Sequence, residues 1–366
     1  MKGTTKLLNP GPVTLTDRVR KAFDAEDVCH REQEFADLVK RVMGKLARVY
    51  PESDSAYVPV LLTGSGTAAV EAMLGSLTPR DGKTLVVSNG VYGERAAAIL
   101  EAQGKAFTML KSASWLDGID LAGAEAALAA GGYTHVFTVH HETTTGRLNE
   151  VGKLGALCKK HGVPMLLDAV SSFAGEDLRF ADWNLEACAA TANKCLHGVP
   201  GVAFALVKKD VFSSRKSAAT SVYLDLFKYE KEQRTGFSPF TQATHVMVAL
   251  DEALSELADM GGVPARVERY RGYSQRVLSG LAKLGVETLI PRADYSSTLT
   301  SYRLPEGVTY ERLHDDLKRD GFVIYAGQGD FRGSIFRIAV MGDLAPSDID
   351  RLLGCIGQSF DRARRV

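Results

Sequence analysis

The sequence predicts an α/β protein, with a doubly wound, mostly parallel sheet in a large domain of residues 1–260 and a smaller α+β domain of residues 261–366. Three observations predict it. Short apolar runs such as Leu85-Val86-Val87, Met165-Leu166-Leu167 and Val202-Ala203-Phe204 alternate with stretches of helical spacing. Several runs end in glycines, hydroxyls or a carboxylate, the residue types that open α/β sheets place at their ligand-bearing edge. Gly261-Gly262 then breaks the chain, and a second set of strand and helix patterns follows it.

Composition bounds the function. Lys+Arg and Asp+Glu both number 44, so the net charge is zero and no overall field draws in nucleic acid or an anionic membrane. No apolar run approaches a membrane span, and Met1 to Lys6 has no apolar leader core, so a cytoplasmic protein is expected. The five cysteines are odd in number and form no CxxC pair, which fits reduced thiols.

Taken in order, Leu7-Leu8-Asn9-Pro10-Gly11-Pro12 is a rigid, helix-free arm, either surface chain or a loop laid over a ligand site. Phe35, Leu38, Val39, Val42, Met43, Leu46 and Val49 have helical spacing, and residues 51–57 form a polar break. Val60-Leu61-Leu62 leads into Thr63-Gly64-Ser65-Gly66-Thr67 and an alanine-rich helix. Such a helix start presents unpaired N–H groups and a positive dipole end to a phosphate, although a plain tight turn uses the same residues. It is neither a P-loop nor a dinucleotide fingerprint.

Residues 84–90 form a second strand and turn, with Tyr92 beyond it as rim packing or as a platform for a flat ring. Residues 135–142 read as a third strand that ends in Thr143-Thr144-Thr145-Gly146. His140, His141 and Glu142 are metal-ligand types, but neighbours on a strand point to opposite faces and no further ligand follows, so no metal is expected. A helix over 151–161 leads to the strand that ends at Asp168. A polar connection then leads to Lys194, and the strand 202–207 follows it. Residues 237–245 form a loop before a helix over 246–260. Beyond Gly262, strands are expected at 299–304, 322–325 and 335–339, and helices at 310–319 and 347–362.

Asp168 at a strand end with Lys194 downstream is the pairing that pyridoxal 5'-phosphate needs. The lysine holds the aldehyde as a Schiff base, and the carboxylate keeps the pyridine nitrogen protonated.

The family resemblance is carried by Asn9-Pro10-Gly11-Pro12, Gly64-Ser65-Gly66-Thr67-Ala68-Ala69, Ser88-Asn89-Gly90-Val91-Tyr92-Gly93 and Glu142-Thr143-Thr144-Thr145-Gly146. Asp168-Ala169-Val170-Ser171-Ser172, Asn193-Lys194-Cys195-Leu196-His197-Gly198-Val199-Pro200-Gly201 and Phe336-Arg337-Ile338 complete it. Together they resemble the class V aminotransferases of pyridoxal-phosphate fold type I, within them the 2-aminoethylphosphonate–pyruvate branch, over nearly the whole chain. The resemblance implies Lys194 as the Schiff-base lysine and Asp168 as the pyridine partner. Ser65, Gly66 and Thr67 would hold the cofactor phosphate, with Tyr92 stacked on the ring and Thr143 near its phenolic oxygen or Asp168. Arg337 would clamp the substrate anion. The family builds its sites across a homodimer interface, so Thr244, or Thr241, would reach the partner's cofactor phosphate.

The implied reaction passes the amino group of a small-molecule donor, 2-aminoethylphosphonate, to the 2-oxo acid pyruvate, or runs in reverse. A guanidinium fork suits phosphonate and carboxylate alike. A phosphonate carries more charge and calls for a second group: His30, Arg31 or the 9–12 arm through Asn9 and Gly11. Cys29-His30-Arg31-Glu32 departs from the acidic stretch of that branch and bears on donor choice. The alternatives are an alanine– or serine–glyoxylate aminotransferase, a lyase or desulfurase, and a non-catalytic relative that binds the cofactor. Against a desulfurase, Asn193 rather than histidine precedes Lys194, and Cys355 sits in a helical apolar pattern.

Overall fold

The computed structural model describes residues 5–364. Residues 1–4, part of the stretch in which no leader core was read, lie outside them. A seven-stranded sheet organises the large unit. Its strands are β1 (Tyr57–Gly64), β2 (Lys83–Ser88), β3 (Ala106–Lys111), β4 (His135–Val139), β5 (Met165–Asp168), β6 (Leu185–Thr191) and β7 (Gly201–Lys208), in the order β1-β7-β6-β5-β4-β2-β3. β7 runs antiparallel to both β1 and β6; the other neighbours are parallel. Because β7 is reversed between them, β1 and β6 point the same way. The ends of β1, β2, β4, β5 and β6 therefore share one edge, where open α/β sheets place ligands.

β4, β5 and β6 are buried along their whole length, as strands covered by helices on both faces should be. The Gln33–Ala47 helix turns Phe35, Leu38, Val39, Val42 and Leu46 into the core, the face that the spacing predicts. In the C-terminal unit, Leu299–Arg303, Ile335–Ala339 and Tyr325–Ala326 form an antiparallel sheet beside helices Tyr310–Arg319 and Pro346–Arg364.

Five details differ from the sequence expectations. The third strand stops at Val139: the His140 N–H still reaches the Asp168 carbonyl at 2.9 Å, but His141–Glu142 leaves the sheet and pairs with Arg147–Leu148 in a hairpin. The connection between Asp168 and Lys194 contains β6, a central strand. β3 and the Leu121–Ala130 helix occupy a stretch that showed no pattern. The arm opens with a strand, Lys6–Leu7, parallel to Phe322–Val323. The helix after the 237–243 loop starts at Thr244, so Thr244 lies in its first turn.

Candidate active site

Each strand end at this edge delivers one part of a cleft. β1 ends in Gly64, and Ser65 opens the Gly66–Leu77 helix without capping it through its side chain. A Cβ on Gly66 would stand 2.6 Å from Val170 Cγ1, so the helix start fits against the chain after Asp168 only as glycine. β2 leads into the Val91–Ala102 helix, which carries Tyr92 and, one turn on, Arg95. The Arg95 guanidinium lies 4.7 Å from the Tyr92 ring centre and donates to Thr67 Oγ1 at 3.4 Å. Thr67, Tyr92, Arg95, Asp168 and Val170 line one small cavity of ≈ 30 Å³.

Asp168 closes β5. Its Oδ1 accepts from the Val170 N–H at 2.9 Å, and burial raises its carboxyl to about 6 against the pull of Arg95 and Lys194. Lys194 follows β6 by three residues. Burial lowers its amine to about 8, with Arg337 and Arg95 adding to the drop and Cys195 and Asp168 opposing it. Its Nζ donates to the Pro10 carbonyl, and a Cβ on Gly11 (φ +94°) would lie 2.5 Å from Lys194 Cδ. The 9–12 arm therefore lies over the Lys194 side chain.

The lysine loop is held from behind by the C-terminal unit. Arg266, fully buried, donates to the Cys195 carbonyl at 2.8 Å. His197 adopts a left-handed φ of +63°. Its Nε2 accepts from the Gly342 N–H at 2.8 Å and lies 2.6 Å from the Tyr270 hydroxyl. Accepting the Gly342 N–H requires an unprotonated Nε2 and so a neutral imidazole, and burial keeps it so by lowering its pKa well below the usual value.

Arg337 enters from the C-terminal sheet, fully buried. Nε donates to the Ala326 carbonyl at 2.8 Å, and Nη1 to the Thr143 carbonyl at 2.6 Å and Gln328 Oε1 at 3.2 Å. Nη2 and Thr143 Oγ1 are buried without a partner, an arrangement natural proteins rarely leave unless a ligand completes it.

The remaining expected residues are engaged elsewhere. Asn9 donates its amide to the Pro12 carbonyl at 3.0 Å and shapes the arm. Arg31 donates to the Ser238 carbonyl at 3.0 Å, and His30 is half-buried beside it. Thr244 Oγ1 lies 3.5 Å from His245 Nδ1. His140 packs edge-on against Trp183 at 5.2 Å, while His141 Nε2 lies 2.8 Å from Ser296 Oγ and Glu142 binds Thr144. Cys195 and Cys355 are free thiols, Cys195 buried and Cys355 half-buried in the last helix.

Sequence reasoning passed over Arg95 and weighed Glu142 only as a metal-ligand type. Arg95 stands one turn after Tyr92, a spacing that puts both on one face of a helix.

A primary amine of lowered pKa, a buried carboxylate, an aromatic platform and an uncapped helix start together fit pyridoxal phosphate. The class-V aminotransferase family model matches residues 21–332. The chain belongs to the class-V aminotransferases. It is an aminotransferase, and pyridoxal phosphate is its cofactor. The chain is 36% identical, over 96% of its length and 97% of the relative's, to a 2-aminoethylphosphonate–pyruvate transaminase of Bacillus cytotoxicus. Among solved structures it resembles a pyridoxamine–pyruvate aminotransferase of Mesorhizobium loti: 25% identity, TM-score 0.89, 99% and 93% of the two chains covered. It also resembles a ureidoglycine–glyoxylate aminotransferase of Bacillus subtilis: 23% identity, TM-score 0.91, 100% and 95% covered. This class-V fold is the α/β architecture that the sequence predicts. Among the described residues no helix is long and apolar enough to cross a membrane.

Proposed function

We propose that this class-V aminotransferase moves the amino group of 2-aminoethylphosphonate to pyruvate, giving phosphonoacetaldehyde and L-alanine, or catalyses the reverse. The observation that carries the proposal is the near-full-length match to transaminases of that name, at 36% identity. The unpartnered Arg337 Nη2 supports it, because a donor without an α-carboxylate must be held by its phosphonate.

Bound pyridoxal phosphate supplies the aldehyde that carries the amino group and the ring that takes up electrons from the donor's C–H bond. Lys194 would hold that aldehyde through Nζ and, when its amine is free, would take the proton from the amine-bearing carbon of the donor. Its lowered pKa of about 8 keeps a useful fraction neutral near physiological pH. Asp168 would supply the negative charge that keeps the ring nitrogen protonated. Ser65, Gly66 and Thr67 would offer N–H and hydroxyl donors to the phosphate, Tyr92 would support the ring, and Thr143 Oγ1, buried without a partner, would be available to it. Arg337 orients the phosphonate and, in the second half-reaction, the pyruvate carboxylate. The arm at Asn9 and Gly11 keeps water from Lys194.

Thr244 or Thr241 is assigned to the cofactor phosphate of the partner in a cytoplasmic homodimer. Residues 1–260 and 261–366 are assigned as the two domains: the seven-stranded sheet belongs to the first and the sheet of Leu299–Arg303, Ile335–Ala339 and Tyr325–Ala326 to the second, while the Lys6–Leu7 arm pairs across to Phe322–Val323.

The test is an absorbance titration of the cofactor-loaded protein with 2-aminoethylphosphonate, then with L-alanine and L-serine. Loss of the visible band with the phosphonate, and its return with pyruvate, is the expected result. A response to alanine or serine alone, reversed by glyoxylate, would replace the phosphonate by the glyoxylate reaction.

A further inference from the structure

The Val91–Ala102 helix begins at Gly90, which has no side chain to cap it. Its first N–H groups are met from another element. The Val91 N–H donates to Thr144 Oγ1 at 3.4 Å and the Tyr92 N–H to Glu142 Oε2 at 3.3 Å. The other Glu142 oxygen accepts from the Thr144 N–H at 3.0 Å and its hydroxyl at 2.6 Å. A carboxylate at the positive end of a helix is well placed electrostatically. The fit is tight, since a Cβ on Gly90 would stand 2.4 Å from Glu142 Cδ. Between Glu142 and Thr144 lies Thr143, whose carbonyl takes the 2.6 Å bond from Arg337 Nη1. The hairpin of residues 141–148 therefore touches the aromatic platform on one side and the substrate guanidinium on the other.

We propose that Glu142 is a positioning residue whose carboxylate sets Tyr92 and Arg337 relative to one another, and with them the cofactor ring and the substrate anion. The inference rests on the assignment of Tyr92 and Arg337 to cofactor and substrate; it does not depend on which donor the enzyme uses. A carboxylate accepts all three donors, whereas a glutamine turns an NH2 toward one of them. The groups that bear on Glu142 are the Thr144 and Tyr92 donors, the Asp168 carboxylate and the Arg337 guanidinium. Burial raises the Glu142 carboxyl to about 7, so its clamp is complete above that pH and loses an acceptor below it.

The experiment measures the pyridoxal phosphate dissociation constant of the full-length protein, wild type and Glu142→Gln, from about pH 5.5 to 9, with the KM of the amino donor alongside. Wild-type affinity is expected to fall on acidification with a midpoint near 7. Glu142→Gln should bind roughly tenfold more weakly, raise the donor KM, and lack that limb while keeping those of Asp168 and Lys194. Thr144→Val, which removes one donor to the carboxylate, should move the limb to higher pH, and it serves alone if the glutamine variant does not fold. A limb that persists in Glu142→Gln, or stays in place in Thr144→Val, would overturn the proposal, as would a variant that lowers only the melting temperature. Failure of 2-aminoethylphosphonate as donor would leave the cofactor-binding profile unchanged, so the two readings fail separately.

Discussion

Replacing Arg337 by lysine separates an anchor from a strut. In the protein Nε and Nη1 serve Ala326, Thr143 and Gln328, and Nη2 alone is left for a ligand. A lysine carries one nitrogen, which either takes up the scaffold carbonyls or turns to the anion. The variant therefore loses the Nη2 contact to the phosphonate, a charge-assisted hydrogen bond worth about 1.5–3 kcal/mol. At about 1.36 kcal/mol per factor of ten, the donor KM should rise roughly 10- to 150-fold. The KM for pyruvate should rise too, because its carboxylate meets the same Nη2 donor. Steady-state kinetics in both directions, with the cofactor dissociation constant as control, measures this. A variant that melts earlier but keeps both KM values would refute the anchor and leave Arg337 as a strut between Thr143 and Ala326.

Lys194 must be neutral to attack the cofactor aldehyde. With its pKa lowered to about 8, the rate of reconstitution from apoprotein should climb about tenfold per pH unit below that value and level off above it; a flat profile would contradict this. Arg95→Gln should raise the dissociation constant of pyridoxal phosphate by roughly tenfold and leave that of pyridoxal unchanged, since the guanidinium reaches the Thr67 hydroxyl at the phosphate end. Equal losses for the two ligands would remove Arg95 from the phosphate cup. Gly11→Ala places a methyl against the Lys194 side chain and forces a left-handed residue, a strain of about 1–2 kcal/mol. It should cut kcat more than it lowers the melting temperature, by comparison of turnover with thermal unfolding.

Periodicity made some elements plain. The Tyr310–Arg319 helix and the Ile335–Ala339 strand match their expected bounds, because each buries a regular apolar face. Asp168 and Lys194 were legible because a carboxylate ending an apolar strand is costly to bury without a purpose. β6 escaped notice for a packing reason: Leu185-Glu186-Ala187-Cys188-Ala189-Ala190-Thr191 is made of small residues, which fit where the Gly66–Leu77 helix lies close against the sheet. β3 was illegible because it is an edge strand with little of its surface fully buried. Glu142 stood in view beside two histidines, where its residue type suggested a metal. Its partners, two backbone N–H groups and a hydroxyl, leave no mark on sequence spacing. Arg95 carried no reading in the sequence; only the fold, which puts it on the Val91–Ala102 helix, sets it beside Thr67.

The N-terminal arm also has a consequence for how the protein is made. Lys6 donates to the Asp343 carbonyl at 2.7 Å, across a separation of 337 residues, and Leu7 is paired with Val323. The segment that lies over Lys194 thus precedes the large sheet in the chain, while its binding partners follow it. The large sheet can assemble during synthesis, since β1 to β7 are complete by Lys208. The arm over Lys194 cannot be seated until Phe322–Val323 and Asp343 have been made, well after the large sheet is complete.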